Sequence, residues 1–223
     1  MNPNSPTRLP DAFVIDDSGW CIHARQVRSP NCDARGEGMQ ADLLIIHNIS
    51  LPPGQFGAHY IEDLFCNRLD YEADPYFDQL RALRVSAHFL IRRDGSLLQF
   101  VSTDARAWHA GASRFGEREC CNDFSIGIEL EGTDFIAFEP AQYRTLASLT
   151  AALQARHGLR DVAGHEHVAP GRKTDPGPSF DWDAYRALYA QTWRMAPCSA
   201  SIPALQGATD PATLHFAGAS CEG

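Results

Sequence analysis

The sequence predicts an α/β fold, a central mixed β-sheet flanked by α-helices, on three observations. "ADLLIIHNI" (41–49) is a continuous apolar run of the kind that makes a buried strand. "DFSIGIELEG" (123–132) alternates with a period of two, and "EPAQYRTLASLTAALQARHG" (139–158) repeats its apolar residues at helical spacing. Strands and helices interleaved in this way bury their apolar faces as one sheet with helices packed on it.

Each element has its own signal. In the first strand the apolar run ends at His47. Ile61, Leu64 and Phe65 in "HYIEDLFCNRL" predict a helix, and a second short one is expected over 76–83. "VSAHFLI", "RRDG" and "SLLQFVS" read as a hairpin with Asp94-Gly95 in the turn. In "DFSIGIELEG" one face carries Phe124, Ile126, Ile128 and Leu130; the other, expected to face away from the core, carries Ser125, Gly127, Glu129 and Glu131. The long helix has Pro140 at its first turn, Tyr143, Leu146, Leu149 and Leu153 as its buried stripe and Gly158 as its stop. "FDWDAYRALYAQTW" supplies the last helix, with Asp181 as N-cap. Residues 1–17 and 195–223 read as loose tails around a domain over 18–194.

Composition narrows the function classes. With 223 residues, 44% hydrophobic and 21% charged, the chain can bury a core of its own. A formal charge of -9 argues against a nucleic acid partner, because phosphate binding needs clustered cations. The apolar runs fall short of the ~18–20 residues of a membrane span, so no membrane association is expected. "MNPNSPTRLPDAF" has neither the basic nor the apolar region of a secretory signal, and a cytoplasmic location is expected. The seven cysteines are odd in number and irregular in spacing, which favours free thiols and excludes a Cys-rich structural zinc site.

The chemistry must then come from histidines and carboxylates. His47 stands where an apolar strand meets polar loop, and His165 follows the short segment "DVAG" in the same manner. Strand ends collect sites because a rigid sheet aims the side chain while loops admit the ligand. Asp175 lies ten residues beyond His165 across a proline-punctuated loop that can fold it back toward the same ion. Two imidazoles and a carboxylate would leave Zn²⁺ an open fourth position, as hydrolytic sites require. His167 serves equally well as His165 on spacing alone. A base for water and a donor for an oxyanion are also needed, and Glu129 and Lys173 are candidates; in isolation each would read as a solvated surface residue. A thiol dyad of Cys120 or Cys121 with His109 is disfavoured by surroundings that are not electropositive. "GASRFG" is no nucleophile elbow, and "APGRKT" lacks the spacing of a phosphate-binding loop.

"LLIIHNISLPPGQFG", "VSAHFLIRRDG", "RAWHAGAS", "CNDFSIGIELEGTD" and "APGRKTDPGPSFDW", in this order, resemble the AmpD family of cytoplasmic N-acetylmuramoyl-L-alanine amidases. Those enzymes cleave 1,6-anhydro-N-acetylmuramyl peptides in cell-wall recycling and belong to the wider zinc amidase group of T7 lysozyme and peptidoglycan recognition proteins. The resemblance covers about residues 18–192. It implies His47, His165 and Asp175 as zinc ligands and so prefers His165 to His167. It implies Glu129 as acid/base, Lys173 as the group stabilising the tetrahedral intermediate, and a substrate cleft lined by Arg84, Trp108 and Ala169. Glu131, His88 and His109 are left with structural roles. The wider group often has Tyr where Ala87 precedes His88, and the lack of a phenol here favours Glu129 as the proton carrier.

Two departures from relatives are expected to matter: Cys120 replaces an arginine that could anchor a carboxylate, and Gly171 replaces a glutamate in the loop of Lys173 and Asp175. An anhydromuropeptide is the expected partner and a monomer the expected state. The competing readings are a binding module that does not hydrolyse and an exported amidase acting on intact wall.

Overall fold

The apolar run at 43–49 forms a strand with both faces covered, so nearly every side chain along it gains by leaving water. In the computed structural model, which describes residues 13–195 and 214–217, this strand is β3 (Leu43–Ile49), preceded by β1 (Arg25–Gln26) and β2 (Cys32–Ala34). Helix α1 (Tyr60–Phe65) follows, then the short strands β4 (Phe89–Ile91), β5 (Leu97–Gln99), β6 (Ala105–Ala107), β7 (Arg114–Phe115) and β8 (Arg118–Glu119). The remaining elements are β9 (Ser125–Glu131), α2 (Pro140–His157), β10 (Asp161–Gly164), α3 (His165–Val168), α4 (Trp182–Met195) and β11 (His215–Phe216).

Seven strands make one sheet in the order β1-β5-β4-β9-β3-β10-β11, in which only β4 and β5 run antiparallel. The sheet is therefore mixed, as expected. Its antiparallel pair is the predicted hairpin, turning through Gly95 at φ +84° with the Asp94 carboxylate accepting from the Ser96 amide.

One face of the sheet packs on α2 and α4 through Leu44, Ile46, Ile126, Ile128 and Leu130. Pro140 opens α2, Gln142 closes its capping box, and Gly158 ends it at φ +65°. The Gln142 amide also donates to the carbonyls of Ile91 and Glu131, which ties the helix start to two strand ends. Asp181 caps α4 by accepting from the Ala184 amide. The other face is covered in two parts. Near β4 and β5 lie α1 and a 3-10 turn over Pro75–Leu80, which replaces the helix expected at 76–83: Asp74 caps its start and the proline follows at once. Near β3 and β10 lie Ala110, Cys121, Phe124 and Val168.

This second cover corrects the reading of β9. Its polar face was expected to lie away from the core, yet all seven residues of the strand are buried. Glu131 in particular is 2% exposed and ties loops together. Its carboxylate accepts from Arg92 Nη1 at 2.6 Å, from the Gly57 amide at 2.7 Å and from the Arg93 amide at 3.2 Å. Alternation reports which residues share a face; it does not report whether water or protein covers that face.

The tails also differ from expectation where they are described. Phe13 belongs to the core and Ile15 bridges to Cys21. Leu214 is buried, and β11 adds a parallel strand beside β10, with Phe216 packed 5.3 Å from the Tyr185 ring and 5.9 Å from the Tyr189 ring. Residues 1–12, 196–213 and 218–223 lie outside the described residues. The five described cysteines are free thiols. Phe216→Ala should lower stability by about 1–2 kcal/mol in denaturant unfolding, less than the ~3–5 of a fully buried phenylalanine because this ring is half-buried. An unchanged unfolding midpoint would show that β11 contributes nothing to stability.

Candidate metal and catalytic site

The parallel pairing of β9, β3 and β10 brings three strand ends side by side, and ligands of open α/β sheets gather at such carboxyl ends. His47 and Glu129 are register partners across β3 and β9, so their side chains leave the same face of the sheet. His47 stands two residues before the end of β3 rather than at it. Gly164 ends β10 opposite Ile46, and His165 begins α3 immediately after it.

The loop after α3 returns Asp175 to these histidines and is fixed at several points. The Glu166 amide donates to the Asp175 carbonyl at 2.9 Å, and the Asn48 side-chain amide donates to the Pro176 carbonyl at 3.0 Å. Pro176 rests against Gly164 so closely that a Cβ there would lie 2.7 Å from Pro176 Cδ, so the loop needs glycine at that position. Arg172 clamps the same loop to its neighbour by donating to the carbonyls of Ala110 and Ala112 at 2.8 and 2.6 Å. Gly171 sits in the left-handed region at φ +75° with open space around it. The contacts that hold the loop therefore come from residues on either side of it.

Three donor atoms meet here. His47 Nδ1, His165 Nδ1 and Asp175 Oδ2 are each 3.0 Å from the other two. Ligands about 2.0–2.1 Å from a tetrahedral ion stand ~3.3 Å apart, so the triangle is slightly tight and otherwise fitting. Protonation shows why a cation suits it. His165 Nε2 lies 3.1 Å from the Ala110 carbonyl, which can only accept. In the neutral ring Nε2 then carries the hydrogen, and Nδ1 turns a lone pair toward the Asp175 carboxylate. A lone pair and an anionic oxygen at that distance need a positive charge, a proton or a metal ion, between them. Burial pushes His47 down to about 4, so its ring does not readily supply that charge as imidazolium. His47, His165 and Asp175 are the only such metal-competent group found among the described residues.

The other predicted residues fall into place unevenly. Glu129 is 9% exposed, and its Oε2 is buried without a hydrogen-bond partner among the described residues. Burial, and next the charge of Asp175, raise its pKa well above the usual carboxylate range, while Lys173 pulls it down. Lys173 is exposed, and its backbone is held by the Ala169 carbonyl at 3.0 Å; Ala169 itself is buried at the end of α3. Trp108 is half-buried in the residue before His109. Arg84 is exposed, and its guanidinium donates to the carbonyls of Arg81 and Leu83, with no hydrogen bond to the three converging residues. His167 points away from the triangle: its Nδ1 accepts from the Gly164 amide at 2.9 Å and its ring packs on Trp182.

Sequence reasoning missed the contact of His109, whose Nδ1 is 2.9 Å from His47 Nε2, and the anchoring by Asn48 and Arg172. Nothing in the spacing of these residues connects them. Cys121 is buried, which raises its thiol pKa, so the disfavoured thiol dyad has no support here.

The chain resembles known proteins along most of its length. The family model for N-acetylmuramoyl-L-alanine amidase matches residues 37–178. The chain is 55% identical over 177 residues to the 1,6-anhydro-N-acetylmuramyl-L-alanine amidase AmpD of Citrobacter freundii, covering 78% of this chain and 95% of that one. The AmpD of Escherichia coli strain K12 is 51% identical over 180 residues, covering 80% and 98%. A crystal structure of a selenomethionine AmpD derivative superposes with a TM-score of 0.76 at 55% identity, covering 77% of this chain and 97% of that chain.

The buried imidazoles make stability depend on pH. Burial holds His47 and His157 down at about 4 and depresses His88 and His109 well below their usual 6.5. Unfolding exposes them to protons, so the unfolded chain binds more protons than the folded one between about pH 6.5 and pH 4, and stability falls as pH falls through that window. Glu129, Asp161 and Glu166 are raised in the fold and act in the opposite sense, but these three carboxyls stand against five lowered imidazoles, His167 included. Denaturant unfolding of chelator-treated protein should show this loss, and Glu129→Gln should steepen it; a flat profile would contradict the assignment of neutral imidazoles.

Proposed function

This chain belongs to the N-acetylmuramoyl-L-alanine amidase family, and from that membership we propose that His47, His165 and Asp175 hold Zn²⁺ while Glu129 and Lys173 carry out amide hydrolysis beside it. The enzyme is an amidase that cuts the lactyl amide between 1,6-anhydro-N-acetylmuramic acid and L-Ala in peptidoglycan recycling. The observation that carries the site assignment is the mutual 3.0 Å approach of three donor atoms delivered by β3, α3 and the loop after it.

Zn²⁺ held by those three atoms would lower the pKa of a water and polarise the amide carbonyl. Glu129 is suited to move the proton. Its carboxyl is shielded from water, shifted toward the neutral form, and has one oxygen free of any partner among the described residues. It takes the proton of the attacking water and returns it to the L-Ala nitrogen, since an amide nitrogen leaves slowly as an anion. The charge of Lys173 acts on Glu129, which supports a role for its ammonium in offsetting negative charge on the carbonyl oxygen as the tetrahedral centre forms. Ala169 supports that lysine through its carbonyl.

Trp108 offers an aromatic face for the anhydro sugar, and Arg84 a guanidinium that can leave its local carbonyls for a peptide carboxylate. An anhydromuropeptide substrate, a monomeric state and a cytoplasmic location go with this reading. No helix among the described residues is long and apolar enough to cross a membrane.

Glu129→Ala should keep stoichiometric zinc but lose about 10²–10⁴-fold in kcat on 1,6-anhydro-N-acetylmuramyl-L-Ala peptide, followed by mass spectrometry of the free sugar. His165→Ala and Asp175→Ala should lose the metal itself. Unchanged turnover in Glu129→Ala would remove that residue from the mechanism, and full zinc content in His165→Ala would remove the metal assignment.

A further inference from the structure

A file of polar groups runs from His47 into the interior, and its hydrogens can be placed from one end. Ser125 Oγ lies 2.6 Å from the Cys121 carbonyl, so the single hydroxyl hydrogen is spent on that acceptor. The same oxygen is 3.3 Å from His109 Nε2 and can then only accept from it, which puts the His109 hydrogen on Nε2 and leaves Nδ1 bare. That bare nitrogen is 2.9 Å from His47 Nε2, so His47 carries its hydrogen on Nε2 and turns the Nδ1 lone pair toward His165 and Asp175.

We infer that Ser125 and His109 form a directed hydrogen-bond relay that sets the tautomer and aim of His47 as a metal ligand, with His109 as a positioning residue. The inference rests on the zinc reading above. The relay is built into β9: Ser125 accepts from the ring, and Gly127 leaves room for it. A Cβ at position 127 would lie 2.5 Å from His109 Nδ1 and 2.6 Å from its Cγ, and no larger residue leaves the imidazole where it is. Glycine inside a strand is otherwise unfavourable, and the ring explains why it stands here. The polar face of β9 therefore supplies three parts of one site at alternate positions: the acceptor at 125, the space at 127 and the carboxyl at 129. His165 is set independently and in the same sense by the Ala110 carbonyl, so both imidazoles present Nδ1 to one point.

Groups that orient a liganding histidine typically contribute 10–100-fold in metal affinity. Zinc affinity, measured by competition with a chromophoric chelator, should fall about 10–100-fold in His109→Ala. It should stay within a few-fold of wild type in His109→Asn, whose Oδ1 can accept in place of Nδ1. Gly127→Ala should weaken zinc as His109→Ala does. Equal affinity in His109→Ala and wild type would overturn the inference, and so would His109→Asn as weak as His109→Ala. The wild-type protein gives a test that survives poor folding of any variant. Long-range ¹H–¹⁵N spectra of its zinc-loaded histidines should show His47 and His109 both protonated at Nε2. A His109 protonated at Nδ1 would overturn the relay alone. Wild-type protein that takes up no zinc would instead overturn the metal assignment on which it rests.

Discussion

Two imidazole nitrogens and a carboxylate oxygen are held 3.0 Å apart in a region almost closed to water. Burial weakens solvation of the Asp175 carboxylate and the two histidines beside it favour the anion, so the acid is held ionised among them. The fold brings these atoms together, and much of the surrounding architecture serves that end. The strands fix His47 and the start of α3, a carbonyl and a second histidine orient the rings, and a tethered loop supplies the acid. A divalent cation held there would be attracted by all three atoms. In the reading proposed here, the free energy of binding zinc is partly stored in a site already formed without it.

The sheet can bear this load because it is covered on both sides. A strand open to water on one face tolerates polar residues cheaply but places them in a solvent that screens them. With β9 buried throughout, each polar residue on it must have a partner or a task. Ser125 donates to a carbonyl, Gly127 makes room for an imidazole, and Glu131 collects Arg92 and two backbone amides. Glu129 keeps one oxygen without a partner among the described residues, and that exception falls beside the proposed metal. An unsatisfied buried carboxyl costs stability, and its persistence here fits a group reserved for proton transfer.

Two further features lie around this frame. Cys120, at φ +58°, is exposed in the turn that precedes Cys121, whose carbonyl receives the Ser125 hydroxyl. The sheet gains β11 from the segment after α4, which extends the edge beyond β10, the strand that leads into His165. Both features touch the supports of the site and leave its converging atoms alone.

Much of the fold was legible in local pattern. The continuous apolar run, the two-residue alternation, the proline and glycine that bracket α2 and the Asp-Gly turn each report a local preference, and each produced the expected element. His47, His165, Asp175, Glu129 and Lys173 were identifiable by their setting and by resemblance. Their roles had to be inferred from residue types that also occur in ordinary places. The sequence could not show that Glu131 is buried, that Leu214–Ala217 return to the sheet, or that His109 touches His47. Those facts depend on which distant segments cover a face or fill a gap, and no period along the chain encodes that. The sequence by itself determined the elements and the chemical groups available. Only the tertiary structure decided which nitrogen of each histidine faces Asp175, because ring orientation is set by partners that lie 62 and 55 residues away.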